Sequence, residues 1–309
     1  MIPRGKRINI QPYMKTAIIY HKIDFDGICS YAVIRKAAEM RGEQVTPVPF
    51  NNNEAFNVDL SPFGRIYVVD ICLPTGLMKS LAEETPCRLV WIDHHKTSIE
   101  EAQAEGFGRV PGKREIGRGA CELCWEHEFG TTAPRLVRLM SAYDVWDKER
   151  FDWEAETLPF QYGARNHWAL DAEAFYGDLK DGMEDEGVFD GILREGAAIV
   201  KYVRTTGRYS CGAYGFEITL AKKTRALCLF TPTFGSVGME EAARERGCDV
   251  CVCVNRRNDG SFKVSCFGAS SLDLGKYMKD KYGGGGHAAA AGAVVTEKVF
   301  LKLIRKKTL

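Results

Sequence analysis

Four separated fragments of this 309-residue chain carry side chains that bind hard cations: His21-Lys22-Ile23-Asp24-Phe25-Asp26-Gly27, then Asp70, then Asp93-His94-His95, then Asp144. Carboxylates and imidazoles with no cysteine among them suit a pair of Mn²⁺-like ions better than a structural zinc. Two such ions acidify water and offset charge on a phosphoryl group, so the chemistry implied is phosphoester cleavage. In the first fragment His21, Asp24 and Asp26 fall within six residues, so His21 and Asp24 can reach one ion while Asp26 reaches a second. The alternative is that the two aspartates cap the next helix. Gly27 relieves the backbone where the loop turns into that helix. Asp70 is either the carboxylate that bridges two ions or an ordinary turn residue at a strand end. Of the adjacent His94 and His95, one can address a metal and the other the substrate, with Asp93 fixing an imidazole tautomer by a hydrogen bond. Asp144 supplies the last ligand, and Asp147 competes with it. His127 and His167 lack ligand-like neighbours and read as surface or packing residues.

The first three fragments each close an apolar run, at 16–20, 65–69 and 88–92, which gathers the ligands where strands end. Strand-like runs at 17–20, 44–48, 66–69 and 89–92 alternate with helix-like stretches at 28–41 and 75–84. This is the pattern of βαβ units and a mostly parallel sheet with helices on both faces, whose near-continuous apolar strands are buried on both sides. An open sheet of that kind places its chemistry at the carboxyl ends of the strands. Further helices are predicted at 120–128 and before Asp144, where Leu136, Val137 and Met140 repeat at helical spacing. After charged runs at 147–156 and 181–186, residues 188–205 read as one connecting helix. The chain is thus an α/β protein with a metal-binding domain over 1–185, a linker helix over 186–207 and a smaller α/β lobe over 208–309.

In that smaller lobe, 249–255 and 262–267 form a predicted hairpin around Asp259-Gly260, and a helix spans 271–281. There follows Gly283-Gly284-Gly285-Gly286-His287. With so few side chains, Gly284, Gly285 and Gly286 let backbone N–H groups approach a phosphate or sugar, and His287 can donate to it. A flexible tether is the alternative. The alanines that follow suit a tightly packed helix or turn, and no Gly-Lys-Ser/Thr completes a Walker loop.

A net charge of +1, from 42 basic and 41 acidic residues, excludes a global field that recruits long polyanions and leaves room for a short phosphate ligand. Eleven cysteines scattered through apolar runs read as buried reduced thiols of a cytoplasmic protein. Cys121 and Cys124 have CxxC spacing, but no second pair completes four zinc ligands, so helix packing is the expectation. No apolar stretch approaches the roughly 20 residues of a membrane helix. The basic opening Met1-Ile2-Pro3-Arg4-Gly5-Lys6-Arg7 has no apolar core behind it, so no signal peptide and no membrane partner are expected.

In order and spacing, from residue 16 to about 295, these motifs resemble the DHH superfamily of phosphoesterases, in the subgroup with a DHHA1 C-terminal domain. The matching residues are His21, Asp24, Asp26 and Gly27, then Asp70, then Asp93-His94-His95, then Asp144, and finally Gly283 to His287 followed by Ala290-Ala291-Gly292. The resemblance implies two lobes facing each other across a cleft, with two Mn²⁺ ions in the first and the glycine-rich segment holding substrate from the second. It implies one ion on His21, Asp24 and Asp70 and another on Asp26, Asp70, His94 and Asp144. His95 and Asp93 become catalytic residues, with His95 at the scissile phosphate.

In length and layout the chain looks like the nanoRNases. The implied function is therefore Mn-dependent phosphodiester or phosphomonoester hydrolysis of short RNA or DNA oligonucleotides or dinucleotides. A homodimer is one assembly the resemblance allows. Cyclic-dinucleotide phosphodiesterase and phosphoadenosine-phosphate phosphatase are the enzymatic alternatives, and a non-catalytic nucleotide- or RNA-binding protein is the alternative of another class. Pyrophosphatases of the same superfamily lack the glycine-rich histidine segment. One departure touches substrate recognition. Family members commonly carry an Arg-Ser pair after the strand at 262–267, where this chain has Phe267-Gly268-Ala269-Ser270-Ser271, which removes a bidentate phosphate or base contact. Arg256 and Arg257 are the nearest substitutes.

Overall fold

The alternation of apolar strands and helices at the start of the chain folds into four parallel strands, with one helix between the first and second and another between the third and fourth. The computed structural model describes residues 14–52, 54–84, 88–180, 186–231, 235–268 and 270–305. The basic opening Met1 to Arg7, Cys87, Ala269 and most of the acidic run at 181–186 lie outside the described residues. In chain order come β1 (Lys15–His21), α1 (Phe25–Met40), β2 (Gln44–Phe50), β3 (Arg65–Val69), α2 (Thr75–Glu84) and β4 (Leu89–Ile92). The sheet order is β2-β1-β3-β4. After β1 the chain steps to one side for β2 and to the other for β3, so the switch point of the sheet lies between β1 and β3. Register does the rest: Tyr20 pairs with Val69 and Val69 with Ile92, so His21, Asp70 and Asp93 leave the sheet level with one another.

Both faces of β1, β3 and β4 are buried, as their uninterrupted apolar runs predict, whereas the edge strand β2 is largely exposed. Ile18, Tyr20, Tyr67, Val69 and Ile92 face one core, together with α1, α4 (Ala120–Phe129) and α5 (Arg135–Asp144). Ala17, Ile19, Ile66, Val68, Leu89 and Trp91 face the other, against Met78 and Leu81 of α2 and Ala102 of α3 (Lys96–Ala104). Each fully buried large apolar side chain contributes roughly 1.5–3 kcal/mol. A π-helical turn at Trp153–Thr157, α6 (Leu158–Trp168) and α7 (Ala172–Lys180) complete this unit. Cys121 and Cys124 are buried in α4 as free thiols, as their packing reading anticipates.

The chain divides into two compact units, Met1–Ala197 and Ala198–Leu309, inside α8 (Glu186–Tyr214). This helix runs nine residues past the 205 expected from the sequence. Thr205-Thr206-Gly207 reads as a stop, yet Gly207 lies where a Cβ would come within 2.3 Å of the Gly238 carbonyl oxygen, and the following turn buries Cys211. Tertiary packing overrides the local signal.

The second unit holds β5 (Phe216–Thr219), β6 (Arg225–Phe230), α9 (Glu240–Glu245), β7 (Val250–Arg256), β8 (Phe262–Phe267), α10 (Leu274–Tyr282), β9 (Gly285–His287), β10 (Ala290–Val295) and α11 (Glu297–Arg305). Its six strands run in the order β5-β6-β7-β8-β10-β9. The predicted hairpin is present as β7 and β8, with Gly260 at φ +83° in the turn. Arg256 ends β7, and the Arg257 guanidinium lies 3.7 Å from Asp259.

The glycine-rich segment is built into the sheet, not a tether. Gly283 closes α10 in the left-handed conformation, Gly285–His287 pairs with β10, and Ala290 and Ala291 are strand residues where a helix or turn was expected. Pairing of Ala290 with Phe267 and Ala291 with Cys266 outweighs the helix preference of alanine. A Cβ at Gly284 would meet the Gly292 carbonyl oxygen at 2.1 Å and one at Gly286 the Ala290 carbonyl oxygen at 2.5 Å, whereas one at Gly285 would meet nothing within 4 Å. Among the described residues no helix is long and apolar enough to cross a membrane.

Candidate metal centre

His21 ends β1, and three residues on Asp24 is the N-cap of α1. The capping and ligand readings of Asp24 both hold, on different oxygens. Its Oδ1 accepts from the Gly27 N–H at 3.0 Å, while Oδ2 lies 2.7 Å from His21 Nδ1. Gly27 is needed for a different reason than a loop bend. A Cβ there would sit 2.0 Å from the His21 carbonyl oxygen.

Asp26 does not cap its own helix. It receives the N-terminus of α4: Oδ2 accepts from the Ala120 N–H at 2.6 Å and Oδ1 from the Cys121 N–H at 3.0 Å. Two amides at a helix N-terminus, where the backbone dipole favours an anion, hold this buried carboxylate in one orientation. The sequence reading missed these amides. Their one local signal is Gly119, which permits the approach, since a Cβ there would meet Asp26 Oδ1 at 2.8 Å. The Gly119 N–H in turn donates to Ser141 Oγ at 2.9 Å.

Asp70 follows β3 with φ +56°, a left-handed conformation that costs a non-glycine residue roughly 1–3 kcal/mol. Its N–H donates to the Ile92 carbonyl at 2.9 Å, so the sheet itself pins the strained residue. The carboxylate that results faces two ways: Oδ2 is 3.4 Å from His21 Nδ1 and Oδ1 is 3.2 Å from His94 Nε2. His94 Nε2 is also 3.6 Å from Asp26 Oδ2 and 3.3 Å from Asp144 Oδ2. Asp144 is the last residue of α5, whereas Asp147 lies past the helix end and accepts from the Glu149 N–H.

Asp93 Oδ1 accepts from the His94 N–H, from the His95 N–H and from His95 Nδ1, the last at 2.7 Å. This places a proton on His95 Nδ1 and turns Nε2 outward from the pair. His127 and His167 lie apart from the cluster, near Glu128 and Asp178.

The electrostatics are those of a cation site. Burial pushes the Asp70 carboxyl well above the usual carboxylate range, and repulsion from Asp26 and Asp24 adds to it. Burial and Asp26 do the same to Asp144. Burial alone would lower the pKa of His21, but its contacts with Asp24 and Asp70 outweigh that and push it up to about 11. In the same way burial disfavours the charged His95, and Asp93 overcomes it, raising His95 to about 9. Asp70 Oδ1 and Asp144 Oδ2 are buried with no hydrogen-bond donor. Buried carboxylates that repel one another and keep single oxygens without a donor have the chemistry a divalent cation would resolve, and its binding at His21 would require that imidazole to give up its proton.

Two groups, His21-Asp24-Asp70 and Asp26-Asp70-His94, each bring their ligand atoms within 4.8 Å of one another, and Asp70 belongs to both. A third, Asp70-Asp93-His95, is already closed by the Asp93–His95 hydrogen bond. All six residues expected as ligands, together with Asp93 and His95, thus converge in the first unit. Gly284, Gly285, Gly286 and His287 belong to the second unit, at and just before β9.

No protein-family model and no curated protein matches the sequence. Solved structures do match. The DHH domain of a protein described as a member of a family of ribosomal proteins aligns with 95% of this chain and 86% of its own, at TM-score 0.56 and 15% identity. RecJ from Thermus thermophilus, in complex with Mn²⁺, aligns with 95% of this chain at TM-score 0.52 and 14% identity, and this chain spans 51% of its length. An exopolyphosphatase-related protein from Bacteroides fragilis aligns with 95% of this chain and 91% of its own, at TM-score 0.52 and 12% identity.

Proposed function

We propose that this chain, which has the fold of the DHH superfamily, is a divalent-metal-dependent phosphoester hydrolase that acts on short oligonucleotides or dinucleotides. The observation that carries the proposal is the Asp70 carboxylate, strained at φ +56° and presenting one oxygen to His21 and the other to His94. Such a carboxylate has the form of a bridge between two ions. His21, Asp24 and Asp70 would hold one, and Asp26, Asp70, His94 and Asp144 the other. Manganese is the favoured metal on its fit to oxygen and imidazole ligands, and RecJ, which shares the fold, is known in complex with it.

When bound, a pair of such ions supplies Lewis acidity and acidifies water at neutral pH. The chain's own residues do the rest. Asp26, locked by two amides of α4, and Asp70, locked by the sheet, fix the ligand geometry before substrate arrives. His95 keeps its Nδ1 proton on Asp93 and offers Nε2–H to a phosphoryl oxygen or to the leaving oxygen. Backbone around Gly285, where no side chain intrudes, would take the phosphate or sugar of the substrate.

A panel of a 5′-phosphorylated dinucleotide, a longer RNA, a nucleoside 3′,5′-bisphosphate and pyrophosphate, each with and without Mn²⁺, tests the reading. Hydrolysis of the dinucleotide is expected to exceed that of the others and to vanish with a chelator. Cleavage of pyrophosphate alone overturns the substrate class. Gly285→Ala should leave the melting temperature unchanged, because its Cβ meets open space, yet raise KM for the dinucleotide by about 10-fold, the loss of one or two backbone hydrogen bonds. An unchanged KM removes the glycine-rich segment from substrate binding.

A further inference from the structure

The C-terminus of α5 holds a residue that the backbone alone does not want. The Trp146 N–H donates to the Tyr143 carbonyl at 3.2 Å and the Asp147 N–H to the Ala142 carbonyl at 2.9 Å. This is the double bond pattern of a Schellman cap, and it places Trp146 at the position glycine normally fills. Trp146 accordingly has φ +58°. A large aromatic in the left-handed region is a local conflict with the fold, and such conflicts mark sites where the side chain is what matters.

The ring is only partly buried and has company. Trp146 and Trp153 lie 5.7 Å apart between centroids, and Tyr143 stacks on Trp153 at 5.7 Å with planes 4° apart. Trp153 is fixed at the start of the π-helical turn, whose cap Asp152 accepts from the Glu154 and Ala155 N–H groups. π-turns of this kind recur at functional sites. The exposed Lys148 ammonium lies over both indoles, 4.9 Å from the Trp146 centroid and 5.1 Å from that of Trp153, so a cation is held against the aromatic surface on a long, exposed side chain. All of these residues lie close in sequence to Asp144, a ligand of the proposed metal centre.

We propose that Trp146, braced by Trp153 and Tyr143, is a platform on which a nucleobase of the substrate stacks, with Lys148 meeting an adjacent phosphate. The assignment deepens the nucleotide-hydrolase reading and rests on it for the identity of the ligand. A π-face for a base and a cation for the backbone are the two elements by which single-stranded nucleic acid is held without sequence preference. If Trp146 served only to pack the loop after α5, removing its ring would alter stability and nothing else.

The test compares binding of AMP and ribose 5-phosphate to the Mg²⁺-loaded chain by calorimetry. The wild type should prefer AMP. Trp146→Gly, which relaxes the cap, should weaken AMP by about 5- to 150-fold, the range for one stacked base, and leave ribose 5-phosphate unchanged. Trp146→Phe should restore most of the AMP affinity. Tryptophan fluorescence of the unmodified chain gives a second measurement that needs no variant, with quenching expected from AMP and none from ribose 5-phosphate. Equal AMP affinity in the wild type and Trp146→Gly, or no quenching by AMP, overturns the platform. A chain that binds AMP through Trp146 but hydrolyses no phosphoester upholds the platform and defeats the hydrolase reading.

Discussion

Asp70→Asn is expected to slow Mn²⁺-dependent phosphoester hydrolysis by on the order of 10³-fold, because the two ions of the proposed mechanism would lose one shared charged ligand. The metal-free variant should nevertheless melt above the wild type. Burial, then Asp26 and Asp24, holds the Asp70 carboxyl well above its unfolded value. A carboxyl whose folded pKa is raised keeps its full stability below the unfolded value of about 3.9 and loses stability as the pH climbs from there through the folded value. Asparagine has no such proton to lose, so the gap between the variant and the wild type should open across that window. Metal reverses the ranking. A ligand at about 100 times its Kd adds ~2.7 kcal/mol to the form that binds it, so Mn²⁺ should raise the melting temperature of the wild type more than that of the variant. Thermal melts from about pH 4 to 8 with and without Mn²⁺, beside steady-state rates, check each part. Full turnover in the variant removes the bridge on which the proposed chemistry stands.

Gly27→Ala is expected to cost about 3–5 kcal/mol of stability, at the upper end of what single substitutions do. The added methyl would lie 2.0 Å from the His21 carbonyl oxygen and 2.8 Å from His21 Cβ. Neither neighbour can swing aside, because one is the backbone of β1 and the other the Cβ fixed to that backbone. Relief requires α1 to back away from the sheet, which moves His21, Asp24 and Asp26 together. Urea unfolding measures the loss, and Mn²⁺ uptake should fall with it. Gly76→Ala provides the contrast within the same unit. A Cβ there meets nothing within 4 Å, and alanine in a helix is favoured by ~0.5–1 kcal/mol, so that chain should be at least as stable as the wild type. Similar urea midpoints for the two variants would mean that α1 and β1 do not meet as closely as described.

Much of the candidate centre is legible in the sequence because parallel strands deliver their ends together. His21, Asp70 and Asp93 each close or follow an apolar run, and parallel pairing brings such ends to one edge whatever the connections between the strands do. The hairpin around Gly260 was legible for a similar reason, since turn chemistry is local. Where local signals conflicted with packing, they misled. Thr206-Gly207 sits inside α8, and the alanines after His287 lie in and before a strand, because neighbours distant in sequence decide both.

The chain's own order of residues determined which groups would meet: carboxylates and imidazoles at the strand ends of the first unit, with a glycine-rich segment in the second. Only the tertiary structure decided how they meet. It brought Asp144 to 3.3 Å from His94, turned Asp70 left-handed so that its two oxygens face different histidines, and aimed the amides of α4 at Asp26 across 94 residues of chain. Residue type and spacing specify a donor set, because chemistry is carried by side chains. Orientation to within an ångström comes from packing of elements against one another, and that information is spread over the whole core.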